Sequence, residues 1–363
     1  MDKAAARDIA EGAQHATDRR LRTFVTLDGL RGVAALTVVI WHLPGPRLLP
    51  SAYLAVDLFF MLSGFVLAYR YDGKLVDDEA ARSFLVMRLI RLYPLYLIGS
   101  LLGLLCQSWV LGFASPARTY GYLAVQGLFA VGALPLLSAH GVVFPLNVPA
   151  WSLFYEFVVN AAFGFTNRRM DRRALIAIIG ISGTMLAVLL AAVGHMQFTG
   201  QMPKFLLASI RTVFGFYVGV LLFRMWRQGR LPAWRIHPAF LLVALVLLLA
   251  APAAKPVGPV LTFLVVFVSF PLLLTVGLAN EPSGLLARFM SWLGLLSFPL
   301  YAVHYPVLTF LERAWPDLAG FPRAMVSIAA SIAVAWLCLR LWDVPVRGWL
   351  GRLRKRRLAR ATG

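Results

Sequence analysis

A chain of 363 residues that is 60% hydrophobic and only 14% charged, with a mean hydropathy of +0.75, is too apolar for a soluble domain, whose charged share lies near ~25%. Its net charge of +19 would point to nucleic acid in a soluble protein. In a membrane protein the same excess belongs on cytoplasmic loops and against anionic lipid, so no nucleic-acid partner is expected. The fold class is therefore an all-α, polytopic membrane helix bundle with membrane lipid around it.

In chain order, residues 1–25 are polar and hold no short apolar core ahead of a small-residue cleavage site. They read as a cytoplasmic segment, with no removable signal peptide expected. Apolar runs then predict about ten spans, at 26–43, 52–71, 88–112, 150–166, 174–194, 205–223, 238–252, 259–279, 291–311 and 323–342. An eleventh stretch, 122–137, is short for a crossing and is interrupted by Gly127, Gly132 and Pro135, so it reads as re-entrant or surface-lying. Arginine decides its status. With the N-terminus inside and ten crossings, Arg168, Arg169, Arg172 and Arg173 share the inner side with Arg224, Arg227, Arg230, Arg235 and the run Arg352–Arg357. A further crossing at 122–137 would put all of these outside, against the positive-inside bias. Both termini are thus expected in the cytoplasm, with a membrane domain over 26–342 and a basic tail, 343–363, as a headgroup anchor. Cys106 and Cys338 sit in apolar runs without ligand spacing and read as packing residues.

Several spans carry polar stripes. Arg31 and His42 are eleven residues apart, which returns both side chains to nearly one helix face ~16 Å apart in height; Asp28 lies within about 60° of that stripe. Ser152, Glu156 and Asn160 recur at i, i+4, i+8, and Ser297, Tyr301 and His304 at i, i+4, i+7 beside Pro299, which is expected to kink its helix. Asp57 and Arg211 add an acid and a base to the second and sixth spans. Ionisable groups inside a span face the protein interior or a wet cavity and mark function by default. The predicted topology puts His42, Asp57, Glu156, Arg211 and His304 in the outer half. It puts Arg31 in the inner half and Arg88 and Arg91 at the inner boundary. An acid–base cluster above a cationic one suits a substrate that bridges them, and coenzyme A has that shape: phosphates for the arginines and a thin arm reaching inward. Plainer readings stand beside these. His42 also reads as an interfacial histidine, Arg31 as a snorkelling cation paired with Asp28, Glu156 as a structural partner of Arg211, and Arg88 and Arg91 as topological charges.

Five segments together resemble the acyltransferase-3 family: Leu27-Asp-Gly-Leu-Arg-Gly-x9-His42; Val56-Asp-Leu-Phe-Phe-Met-Leu-Ser-Gly64; Arg88-Leu-Ile-Arg91-Leu-Tyr-Pro94; Pro149-Ala-Trp-Ser-Leu-Phe-Tyr-Glu156; and Leu296-Ser-Phe-Pro-Leu-Tyr-Ala-Val-His304, with Phe298 where tyrosine is usual. The resemblance implies a multi-pass enzyme of the bacterial inner membrane that O-acylates, often O-acetylates, envelope glycans or small molecules. It implies acyl-CoA as donor substrate, with no tightly bound cofactor. It implies a catalytic His42, which we read as the general base, with Arg31, Glu156 and Asp57 assisting. Arg88 and Arg91 would bind the donor, and Asp28, Ser152, Arg211, Tyr301 and His304 would line the substrate cavity. The rival classes are a secondary transporter for an anionic solute and an acyltransferase acting on a small molecule or lipid.

Overall fold

The first helix begins without a cap of its own. Phe24 offers no side-chain acceptor at the start of α1, Val25–Trp41. Glu281, more than 250 residues on, supplies it: its Oε2 accepts from the Val25 and Thr26 N–H groups at 2.9 and 3.3 Å. Thr26 Oγ1 donates in turn to the Asn280 carbonyl. A carboxylate there also meets the positive end of the helix dipole. Burial pushes the Glu281 carboxyl above its ordinary range, against the pull of those N–H groups and Arg22.

The computed structural model describes residues 22–45, 47–110, 144, 146–197, 204–254 and 256–361. After α1 come a 3-10 turn at Ala52–Leu54, α2 (Ala55–Tyr71), α3 (Asp78–Val110), α4 (Ala150–Thr166), α5 (Arg172–Val193), α6 (Lys204–Arg227) and α7 (Pro238–Leu249). Then follow α8 (Val257–Phe263), a π-helical stretch Leu264–Ser269, α9 (Phe270–Ala279), α10 (Gly284–Ala314), α11 (Gly320–Cys338), a second π-helical stretch Leu339–Asp343, and α12 (Val344–Ala361). There is no strand among the described residues, so the protein is an all-helical bundle.

Each of the ten predicted spans coincides with a helix, yet among the described residues seven helical stretches are long and apolar enough to cross a membrane. The other three are shorter than the ~20 residues a crossing needs: α1 and α4 have 17 residues each and α7 has 12. The stretch 122–137 lies outside the described residues. Two boundaries differ from the sequence reading in ways that matter. Helix α3 starts at Asp78, ten residues before the apolar run, because its first turns are polar. The stretch 343–363, read as a tail, is helical from Val344 to Ala361 and continues α11 through the π-helical turn. Its Arg354 reaches Ser83 and Met87 on α3. Pro299 and Pro306 both lie inside α10, which runs unbroken over 31 residues.

Two helix pairs pack most extensively, α1 with α10 and α2 with α6. The α1–α10 seam is close because small residues face it. A methyl added at Gly32 would strike the Leu293 side chain and backbone, and one at Gly294 would strike Asp28. Small residues let membrane helices approach in this way. Helix α2 is the most enclosed element, whereas α5 leaves Ile176, Ile181, Met185 and Val188 exposed, as a lipid-facing helix should.

Candidate active site

The α1–α10 seam brings the two sequence stripes face to face. Ser297, Tyr301 and His304 on α10 each meet a partner that the sequence marked. Arg31 Nε donates to Ser297 Oγ at 2.9 Å, and its Nη2 donates to Asp28 Oδ1 at 2.8 Å and to the Gly294 carbonyl at 3.1 Å. Tyr301 Oη and Ser152 Oγ share a hydrogen bond of 2.7 Å, and both reach the Pro149 carbonyl at the start of α4. His304 Nε2 lies 3.3 Å from His42 Nδ1.

Backbone carbonyls fix the tautomer of each imidazole. His42 Nδ1 is 2.9 Å from the Val38 carbonyl, which can only accept, so Nδ1 carries the proton. His304 Nδ1 likewise faces the Tyr301 and Leu300 carbonyls at 2.8 and 3.2 Å. That leaves the His304 Nε2 lone pair to accept from His42 Nδ1–H, and leaves the His42 Nε2 lone pair without a partner among the described residues. His304 is fully buried and His42 is half-buried, so the inner ring orients and the outer ring is open to a reactant. A base whose far nitrogen is held by a second group is the arrangement that general-base catalysis requires.

The two carboxylates expected beside His42 are engaged elsewhere. Asp57 accepts a two-pronged bond from Arg211, Nε to Oδ1 at 3.0 Å and Nη2 to Oδ2 at 2.5 Å, with both side chains 1% exposed. Arg211 gives two further protons to the Met196 and Tyr53 carbonyls and lies over the Tyr53 and Trp151 rings. This buried pair ties α2 to α6, and neither member hydrogen-bonds the histidines. Glu156 Oε1 accepts from Arg88 Nη2 at 2.8 Å and from Ser63 Oγ at 3.1 Å. Its partner is Arg88, not Arg211. The expected depths of these two residues are also corrected. Their 2.8 Å contact puts the two side chains level, so Glu156 in the outer half and Arg88 at the inner boundary do not both hold. Asn160, on the same α4 stripe, is fully buried and its amide has no partner among the described residues.

Arg88 and Arg91, three residues apart, consequently do different things. Arg88 is held by Glu156, while Arg91 opens onto a cleft of about 190 Å³ at the Arg31 end of the seam, lined also by Asp28, Ser291, Asp343 and Arg347. Asp343 and Arg347 escaped the sequence reading because they lie in a stretch dominated by lipid-anchor arginines. The signal that marks them is an acid at i and a guanidinium at i+4, paired at 2.9 Å.

A tautomer-fixed pair of one buried and one half-buried histidine inside a multi-pass helical bundle, with an arginine-lined cleft further along the same helix, is the candidate acid–base site. Comparison with known proteins gives the class its name. The chain matches the acyltransferase-3 "Acyltransferase domain" model over residues 24–340, and it belongs to that family. It is 27% identical to acyltransferase MdmB of Streptomyces mycarofaciens, over 91% of this chain and 93% of that one. It is 25% identical to the putative peptidoglycan O-acetyltransferase YrhL of Bacillus subtilis, over 88% of this chain and 54% of the longer relative. Protein 2 in the picA locus of Rhizobium radiobacter is 40% identical over 46% of this chain and 93% of its own length. No solved structure shows a significant match.

Proposed function

We propose that this acyltransferase moves an acyl group, acetyl by preference, from cytoplasmic acyl-CoA to a hydroxyl of an envelope glycan, within the bacterial inner membrane and with both termini in the cytoplasm. The observation that carries the reading is the His42–His304 pair, with a free His42 Nε2 on the same helix as the arginine-lined cleft and ~16 Å above Arg31. That rise is comparable to the length of a pantetheine arm. A glycan acceptor is supported by the putative O-acetyltransferase relative.

In the reaction, His42 Nε2 takes the proton of the acceptor hydroxyl as that oxygen attacks the thioester carbonyl. The imidazolium so formed is held through Nδ1–H by His304 Nε2 and the Val38 carbonyl. Collapse of the tetrahedral intermediate breaks the C–S bond, and the thiolate leaves with the proton from His42. The products are an O-acyl ester and free CoA thiol. Arg31 fixes the donor arm, and the Tyr301–Ser152 hydroxyls shape the wall between the two ends.

The test is label transfer. Purified protein in nanodiscs, given radiolabelled acetyl-CoA and glycan fragments, should leave label on the glycan, and His42→Ala should abolish this while remaining folded. Near-normal turnover in His42→Ala would refute the assignment. Solute flux with no covalent product would identify a transporter instead.

A further inference from the structure

Helix α1 ends in two aromatic rings, Trp41 and His42, and a cation stands beside them. Trp41 meets His42 edge-on, with ring centres 4.7 Å apart. Arg47 lies over the indole, its Cζ 4.3 Å from the ring centre. Arg47 is exposed and has no hydrogen bond or ion pair among the described residues. A guanidinium stacked in this way keeps its forked N–H edge for a ligand. Its charge also reaches His42, where an unpaired cation opposes the imidazolium that forms when the ring takes a proton. Two polar atoms next to this stack lack partners. Trp41 Nε1 and Tyr53 Oη are buried without a hydrogen bond among the described residues. The two rings are 6.2 Å apart, and Tyr53 is only 6% exposed. Orphaned buried donors are rare enough to call for a ligand or a water that completes them.

We propose that Arg47, Trp41 and Tyr53 form a subsite beside His42 that selects an anionic acceptor, one carrying an oxyanion close to the hydroxyl that is acylated. The oxyanion is a uronate carboxylate or a glycan phosphodiester, and both present the same chemistry to a guanidinium fork. Arg47 takes the oxyanion, while the Trp41 N–H and the Tyr53 hydroxyl take neighbouring sugar hydroxyls. Seating the anion cancels the charge that opposes the imidazolium, so the correct acceptor prepares the base it will use. Water brings no such charge, which favours transfer over hydrolysis of the thioester. The assignment rests on the acyl-transfer reading for the reacting hydroxyl; the anion preference rests on Arg47 alone.

The test uses the full chain in nanodiscs of pure phosphatidylcholine. The probes are a glucuronate trisaccharide, its methyl ester, which removes the charge, and a glycerol-phosphate oligomer. Binding is measured without donor, and label transfer is measured with acetyl-CoA. The parent should prefer an anionic probe to the ester by about tenfold or more, the worth of one hydrogen bond between charged groups. Arg47→Gln, a change at an exposed side chain, should lose that preference. A preference for the glucuronate assigns a carboxylate to the site, and one for the glycerol phosphate assigns a phosphodiester. Trp41→Phe keeps a ring and removes the N–H, so it should weaken acid and ester alike and leave their ratio unchanged. Equal affinity of the parent for charged and neutral probes, or an unchanged preference in Arg47→Gln, would overturn the subsite while leaving acyl transfer intact. An Arg47-dependent anion preference with no label on any hydroxyl would keep the anion site and remove the acyl-transfer reading.

Discussion

His304 touches no reactant in the mechanism above; it acts through His42, and its removal has a calculable cost. His304→Ala deletes the acceptor for His42 Nδ1–H but leaves the Val38 carbonyl, so the tautomer survives and the loss is confined to stabilising the imidazolium. A hydrogen bond to a charged group is worth about 1.5–3 kcal/mol. The 3.3 Å separation puts this one at the lower end, or about tenfold in kcat. Donor KM should not move, because the arginine cleft lies at the other end of the seam. His304→Gln, whose Oε1 can accept from the same N–H, should recover part of the loss. The assay is steady-state acetyl transfer in nanodiscs with the melting temperature measured alongside, since a fully buried ring leaves a cavity. Turnover of His304→Ala within twofold of the parent would show that the second imidazole does not hold the first.

Asp57→Asn should act on folding rather than on chemistry. It strands the Arg211 charge in a 1%-exposed site, a change that costs about 3–5 kcal/mol, so the variant should be scarce and melt early, with kcat per folded molecule close to the parent. Gly32→Ala should separate α1 from α10. The added methyl meets Leu293 backbone, which does not yield as a flexible side chain would, and about 1–3 kcal/mol of stability should be lost together with a fall in kcat.

The two stripes that form the site were legible because helical periodicity alone places Arg31 with His42 and Ser297 with Tyr301 and His304. Their pairing was not, since nothing local says that residues 262 apart in sequence will share a hydrogen bond. Relative depth was lost as well. The sequence reading set Arg88 and Glu156 at different levels, and only the packing of α3 against α4, which brings the two side chains to 2.8 Å, puts them at one. The Asp57–Arg211 pair was hidden for another reason. Three acids and several arginines in unrelated spans can be matched in many ways, and only packing of α2 against α6 selects one. Arg347 was masked by composition, a cleft-lining guanidinium among arginines whose number alone satisfies topology.

The cap on α1 bears on the order in which the molecule is made. Glu281, Gly294, Ser297 and His304, which complete the first helix and its site, lie some 255 to 266 residues downstream of their partners. At roughly 5–20 residues per second of synthesis, α1 spends on the order of tens of seconds in the bilayer before any of them exists. The contact that spans this interval is the one made within the helix itself, Asp28 to Arg31 at i, i+3, which lets an arginine wait in lipid with its counter-ion already in hand. A nascent chain halted before residue 281 would thus hold His42 without the partners that complete its surroundings, which arrive only with the last quarter of the chain.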